Sequence, residues 1–247
     1  MKSRINTLLA ALMMLLITHP VIAQTPVAPD ESARLMKVLQ TRLPPTLVIQ
    51  KVQPSPWPWL YEVITNSEMF YVDTSGDYLF YGHIMDTKTR ADLTAKRWND
   101  LTRIDFNNDL PLSLAIKHVK GDGSRKIAVF ADPFCPFCAR LENALQSMTN
   151  ITVYTFLYPL ESLHPGATET AKNIWCSPNR AQAWSDWILR KKKPVAINCK
   201  ADEVNELVKL GEKMNINGTP TIYFTDGHHI ASALTKEQLE EELKSVK

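Results

Sequence analysis

Hydrophobic and polar positions change period several times along the chain, and each change marks an element. Leu35, Leu39 and Leu43 recur every four residues, with Asp30 placed to cap a helix and Pro44-Pro45 to stop it. From position 47 to 85 the pattern shortens to that of strands, over 47–52, 60–65, 69–73 and 78–85, with a turn at Asp73-Thr74-Ser75-Gly76. Helical spacing returns with Leu93, Arg97, Leu101 and Ile104, in a segment from Asp92 to Asp105 ended by Asn107-Asn108-Asp109. Apolar strands at 112–119, 127–131 and 151–157 follow, the last two separated by a helix from Pro136 to about Met148. A helical stretch carrying Trp175, Trp184, Trp187 and Ile188 comes next. The chain then reads as a helix over 203–214, a strand over 221–224, a turn at Asp226-Gly227 and a closing helix from Thr235. Strand, helix, strand, helical insertion, strand, helix is an α/β pattern. The first module has one helix and a few strands, which is marginal as an independent core, so it is expected to dimerise. Pro54-Ser55-Pro56-Trp57-Pro58-Trp59 reads as an irregular edge near that interface.

The first residues stand apart from this pattern. Met1-Lys2-Ser3-Arg4 is basic, 8–17 is apolar, and Val21-Ile22-Ala23 puts small residues before a cut ahead of Gln24. Residues 1–23 therefore read as a cleaved signal peptide, its apolar run far short of the ~20 residues a spanning helix needs. The mature protein is expected in an exported, disulfide-permissive compartment. The chain has 28 basic and 26 acidic residues, and the two counts become equal once Lys2 and Arg4 are removed. That balance offers no electrostatic footprint for nucleic acid. Among only eight glycines, Gly121-Asp122-Gly123 is the one G-x-G, and Lys126 stands where a dinucleotide fingerprint needs its third glycine. Neither a P-loop, nor G-x-S-x-G, nor H-E-x-x-H occurs.

Four cysteines remain as the candidate chemistry. Cys135-Pro136-Phe137-Cys138 follows a strand and opens a helix, where free N–H groups and the helix dipole favour an anion. Cys135 should lose its proton readily and be the accessible nucleophile, while Cys138, one turn in, should face the core and act as the resolving thiol. A zinc pair would want a second close pair, which Cys176 and Cys199 do not form, and haem attachment would want His where Ala139 stands. A plain structural disulfide is the remaining alternative. Gly218-Thr219-Pro220 before a strand is the second element: a cis proline there could lie against the dithiol and offer backbone groups to a client strand. His228-His229 has no carboxylate or cysteine at ligand spacing, so no metal and no cofactor are expected.

Ala131-Asp132-Pro133-Phe134-Cys135-Pro136-Phe137-Cys138, Asn173-Ile174-Trp175-Cys176 and Gly218-Thr219-Pro220 together resemble the DsbC/DsbG family of periplasmic thiol:disulfide isomerases. The resemblance implies a mixed α+β and α/β chain. It comprises an N-terminal cystatin-like dimerisation module (24–88), a linker helix (89–110) and a C-terminal thioredoxin-fold domain with a helical insertion (111–247). It also implies roles: Cys135 attacks, Cys138 resolves, Thr219 and Pro220 form the cis-proline loop, and Cys176 with Cys199 makes a structural disulfide. The implied partners are a second copy of the chain, misoxidised exported clients and a membrane thiol reductase of the DsbD type. The extra cysteine pair is DsbC-like, whereas Pro136-Phe137 leans toward DsbG. Two other readings therefore stand beside the isomerase: a reductase protecting single cysteines from sulfenic acid, and a thiol-independent chaperone.

Overall fold

A computed structural model describes residues 29–66, 68–195 and 199–246. The expected signal peptide lies outside them. Helix α1 (Pro29–Arg42) begins one residue before Asp30, with Pro29 opening it. It packs on a four-stranded antiparallel sheet in the order β1 (Ile49–Pro54), β2 (Leu60–Thr65), β3 (Met69–Asp73), β4 (Leu79–Phe80). Leu35 and Leu39 of α1 bury against Val52, Val63, Phe70 and Val72 on one face. The other face, with Leu60, Ile64, Met69 and Tyr71, is covered by Trp98 and Leu101 of α2 (Leu93–Leu101). Burial on both faces explains why every residue of β2 is buried and none alternates to solvent. Its Glu62 is held there by Arg97 of α2, Nε to Oε2 at 3.0 Å, and by Gln53 Nε2 at 2.6 Å.

Two expectations fail in this module. Strand β4 keeps only two residues of the expected 78–85, because Gly82, at φ +143°, turns the chain away after Tyr81. The linker helix stops at Leu101 rather than running through 89–110. The Thr102 hydroxyl and N–H both donate to Trp98 O, at 2.7 and 3.0 Å, and the Asp105 carboxylate takes the N–H groups of Asn107 and Asn108.

The second sheet has the order β5-β7-β6-β8-β9, from β5 (Ile116–Lys120), β6 (Arg125–Ala131), β7 (Ile151–Leu157), β8 (Thr221–Phe224) and β9 (His229–Ile230). Strands β6 and β7 run parallel, joined through α3 (Pro136–Gln146), and the other pairs are antiparallel. Central β6 is an unbroken apolar run after Lys126, as a strand covered on both faces must be. Helices α4 (Ala167–Cys176), α5 (Arg180–Arg190) and α6 (Asp202–Lys213) form the insertion, and α7 (Lys236–Ser245), with a Thr235 capping box, closes the chain.

The modules meet at the turn after β8. Ile104 N donates to Gly227 O at 3.2 Å and Arg103 pairs with Asp226 at 2.6 Å. Gly227, at φ +87°, lies so close to Ile104 O that a Cβ would overlap it. His228 has carboxylates on both sides, Asp226 at 2.5 Å and Glu242 at 3.3 Å, a pairing that sequence spacing did not bring out.

Candidate active site

Where β6 hands over to α3, Asp132 is fully buried and organises the turn. Its Oδ1 accepts the backbone N–H groups of Phe134 (2.6 Å) and Cys135 (3.1 Å), and its Oδ2 accepts that of Leu160 (2.6 Å). His164 Nδ1 stands 3.0 Å from Oδ1. The insertion steadies the other side: Trp187 Nε1 donates to Pro133 O at 2.7 Å, and its ring meets Phe134 edge-on with centroids 5.2 Å apart. Pro136 occupies the first turn of α3, where an N–H is dispensable. Cys135 becomes the N-cap and Cys138 faces the core.

Both thiols are free and buried. Cys135 is only 5% exposed, so the expectation of an accessible sulfur is corrected. Thr219 lies across it, with Thr219 O accepting from Sγ at 3.2 Å, and the Thr219–Pro220 peptide is cis. A reacting group must therefore approach along the strip between Phe137, which is exposed, and the loop at 218–220.

The two sulfurs are driven apart in acidity. A hydrogen bond from the Cys138 thiol is the largest influence on Cys135 and lowers it to about 5 against the burial that opposes it. The Thr219 hydroxyl and the N–H groups of Cys138 and Phe137 act in the same direction. Burial pushes Cys138 far above the ordinary thiol range, and the neighbouring Cys135 sulfur adds to it. The pair thus holds one thiolate and one thiol at neutral pH, which is what nucleophilic attack followed by a second displacement needs. Elsewhere, Cys176 at the end of α4 is bonded to Cys199 with Cα atoms 5.9 Å apart. Sequence reasoning gave no role to Asp132, Glu142, Trp184 or Trp187. Only Asp132 carried a local signal, an acceptor side chain two residues before the N–H it binds.

Comparison with known proteins decides the family. A model of the disulfide bond isomerase protein N-terminal domain matches residues 25–95, and a thioredoxin-like domain model matches 112–247. A Bordetella pertussis protein named probable thiol:disulfide interchange protein DsbC is 38% identical over 216 residues, 87% of this chain and 76% of that one. The chain belongs to the DsbC family. The Escherichia coli DsbC, a thiol:disulfide interchange protein, is 26% identical over 184 residues, 71% of this chain and 73% of that one. Among solved structures, a disulfide interchange protein from Neisseria gonorrhoeae matches with TM-score 0.53 and 44% identity, covering 55% of this chain and 97% of the other. A DsbC N-terminal domain followed by a thioredoxin-like domain is the fold the motifs implied, and thiol–disulfide exchange is the enzyme class.

Proposed function

We propose that the protein is a homodimeric, periplasmic disulfide isomerase in which Cys135 attacks a wrong disulfide of an exported client. The observation that carries this reading is the divided acidity of a free cysteine pair at the N-terminus of α3, with Cys135 lowered to about 5 chiefly by the Cys138 thiol and Cys138 kept protonated by burial. Attack forms a bond between Cys135 and one client sulfur and releases the other as thiolate. A second client thiol then displaces Cys135, which is isomerisation, or Cys138 does, which leaves a Cys135–Cys138 disulfide and a reduced client. In the second case a membrane thiol reductase of the DsbD type returns the dithiol. Thr219 and Pro220 present backbone to the client strand, and the Cys176–Cys199 bond is structural.

In this reading, 1–23 is the export signal, 24–88 the dimerisation module, 89–110 the linker and 111–247 the catalytic domain. Support for the dimer comes from β4, an edge strand paired only to β3, around which Trp59, Tyr78, Leu79, Phe80 and Tyr81 are all exposed. A second copy would cover that edge. Among the described residues no helix is long and apolar enough to cross a membrane.

Refolding of a scrambled multi-disulfide protein tests the proposal. The reduced protein should restore native activity, Cys135→Ala should restore none, and Cys138→Ala should accumulate mixed disulfide with the client. No recovery beside a working control isomerase rejects it. Turnover of a sulfenylated client in preference to the scrambled one would favour the reductase reading instead.

A further inference from the structure

A thiol that burial keeps protonated must lose its proton before it can attack, and α3 itself carries a buried carboxylate one turn from Cys138. Glu142 sits one turn further along α3, on the same buried face as Cys138, Leu141 and Leu145. The two side chains are i,i+4 neighbours. A cavity of about 10 Å³ has both Cys138 and Glu142 in its wall, room for a single water. A second cavity of about 10 Å³ lies against Glu142 on the other side and reaches His118 and Lys120 of β5. Glu142 is the titratable group common to both walls, and Cys138, His118 and Lys120 are the others that face them.

The carboxylate is fixed rather than adrift. Trp184 Nε1 from α5 donates to Oε2 at 3.0 Å, and Gln146 Nε2 to Oε1 at 3.3 Å. Lys120 is half-buried, with Nζ donating to Leu145 O at 2.6 Å, and burial lowers its pKa while Glu142 raises it. A single buried acid thereby lines a cavity shared with Cys138 on one side and a cavity shared with His118 and Lys120 on the other.

We propose that Glu142 accepts the Cys138 proton during resolution of the mixed disulfide. This deepens the function proposed above and rests on the roles given there to Cys135 and Cys138. The Cys138 S–H proton passes to the Glu142 carboxylate, and the Cys138 thiolate attacks Cys135 Sγ. The Cys135–Cys138 bond forms, the bond from Cys135 to the client sulfur breaks, and the client leaves as thiolate. The enzyme dithiol is oxidised by two electrons and the client disulfide reduced by two. Glu142 then releases the proton to solvent on the His118 side of the second cavity.

Stopped-flow reaction of the reduced full chain with one equivalent of dithiobis(nitrobenzoate) separates the steps without any client. Cys135 attack releases the first coloured thiolate, and Cys138 attack releases the second. Glu142→Gln should leave the first phase unchanged and slow the second on the order of a hundredfold at neutral pH. The gap should narrow at alkaline pH, where hydroxide removes the proton. Glu142→Asp, which keeps a carboxylate, should recover most of the second phase. Three outcomes overturn the proposal: a wild-type second phase in Glu142→Gln, an Asp variant as slow as the Gln variant, or slowing that does not depend on pH. If Glu142→Gln fails to fold, the unaltered protein decides, since a second phase no slower in D2O than in water rejects a proton in transfer. Because the readout needs no client, failure here is distinct from failure in the refolding assay.

Discussion

Cys176 ends α4 and Cys199 precedes α6, and the two are bonded, whereas Cys135 and Cys138 bracket the first turn of α3 and stay free. Around the bonded pair the chain is packed on both sides, with Ala171, Ile174 and Trp175 buried from α4, Ala201 just before α6, and Val204 and Leu207 from α6. That bond ties two helices already held by apolar contact. The free pair is surrounded by groups that reward one sulfur for being charged: backbone N–H groups, the Thr219 hydroxyl and the Cys138 thiol. Stabilising the thiolate stabilises the reduced pair and makes its disulfide easier to reduce. Identical side chains acquire opposite uses because one pair is set among helix contacts and the other at a helix N-terminus.

The largest test of that contrast removes the bonded pair. Replacing Cys176 and Cys199 together by Ala should cost about 2–4 kcal/mol of stability, read from urea unfolding as a lower midpoint. Thiolate reactivity at Cys135 should survive wherever the variant is folded. A variant that stays folded yet loses Cys135 reactivity would mean that the two pairs are not independent.

A smaller effect separates the pairs by pH. Cys135 is held at about 5, below its ordinary value, so between the two values the unfolded chain binds the extra proton. The stabilisation of the reduced protein is therefore complete above the ordinary thiol range and is lost as pH falls through about 5. Alkylation by iodoacetamide should have its midpoint there and fall about tenfold per pH unit below it. The Cys176–Cys199 bond, having no thiol to titrate, should show no such window. A midpoint in the usual thiol range would remove the asserted difference in acidity.

Much of this was legible along the chain, for reasons particular residues make plain. Strands β2, β3, β7 and β8 fall at their expected bounds, because apolar runs there end against turn residues such as Asp73 and Asp226. Strand β9 has only His229 and Ile230, too few for any period to show. The cysteine pair and the Thr219-Pro220 loop were visible as motifs, but the cover that Thr219 places over Cys135 was not, since the two are distant in sequence. Glu142 was hidden for the same reason, and so were the distant partners of Asp132, whose bonds to Phe134 and Cys135 are local. Those partners are Leu160 N and His164 for Asp132 and Trp184 for Glu142, and these come from beyond β7. Local pattern shows which groups exist, while long-range closure decides which of them are buried together.

The smallest expected effect concerns the chain just past the bonded pair. Arg180 lies over the Trp175 ring with its guanidinium carbon 3.7 Å from the centroid, and its Nε donates to Trp175 O at 2.6 Å. Those contacts bind the start of α5 to the end of α4, immediately beside Cys176. Arg180→Ala should therefore lower stability by about 1 kcal/mol, the scale of a partly exposed cation–π contact with its hydrogen bond. Arg180→Lys should recover only part of it, because an ammonium stacks less well on the indole. In neither variant should the pH midpoint of Cys135 alkylation move. Trp187 and Pro133, not Arg180, connect the insertion to the turn before Cys135. A shifted midpoint would show that packing at the bonded pair is transmitted to the thiolate, and the separation drawn between the two pairs would have to be given up.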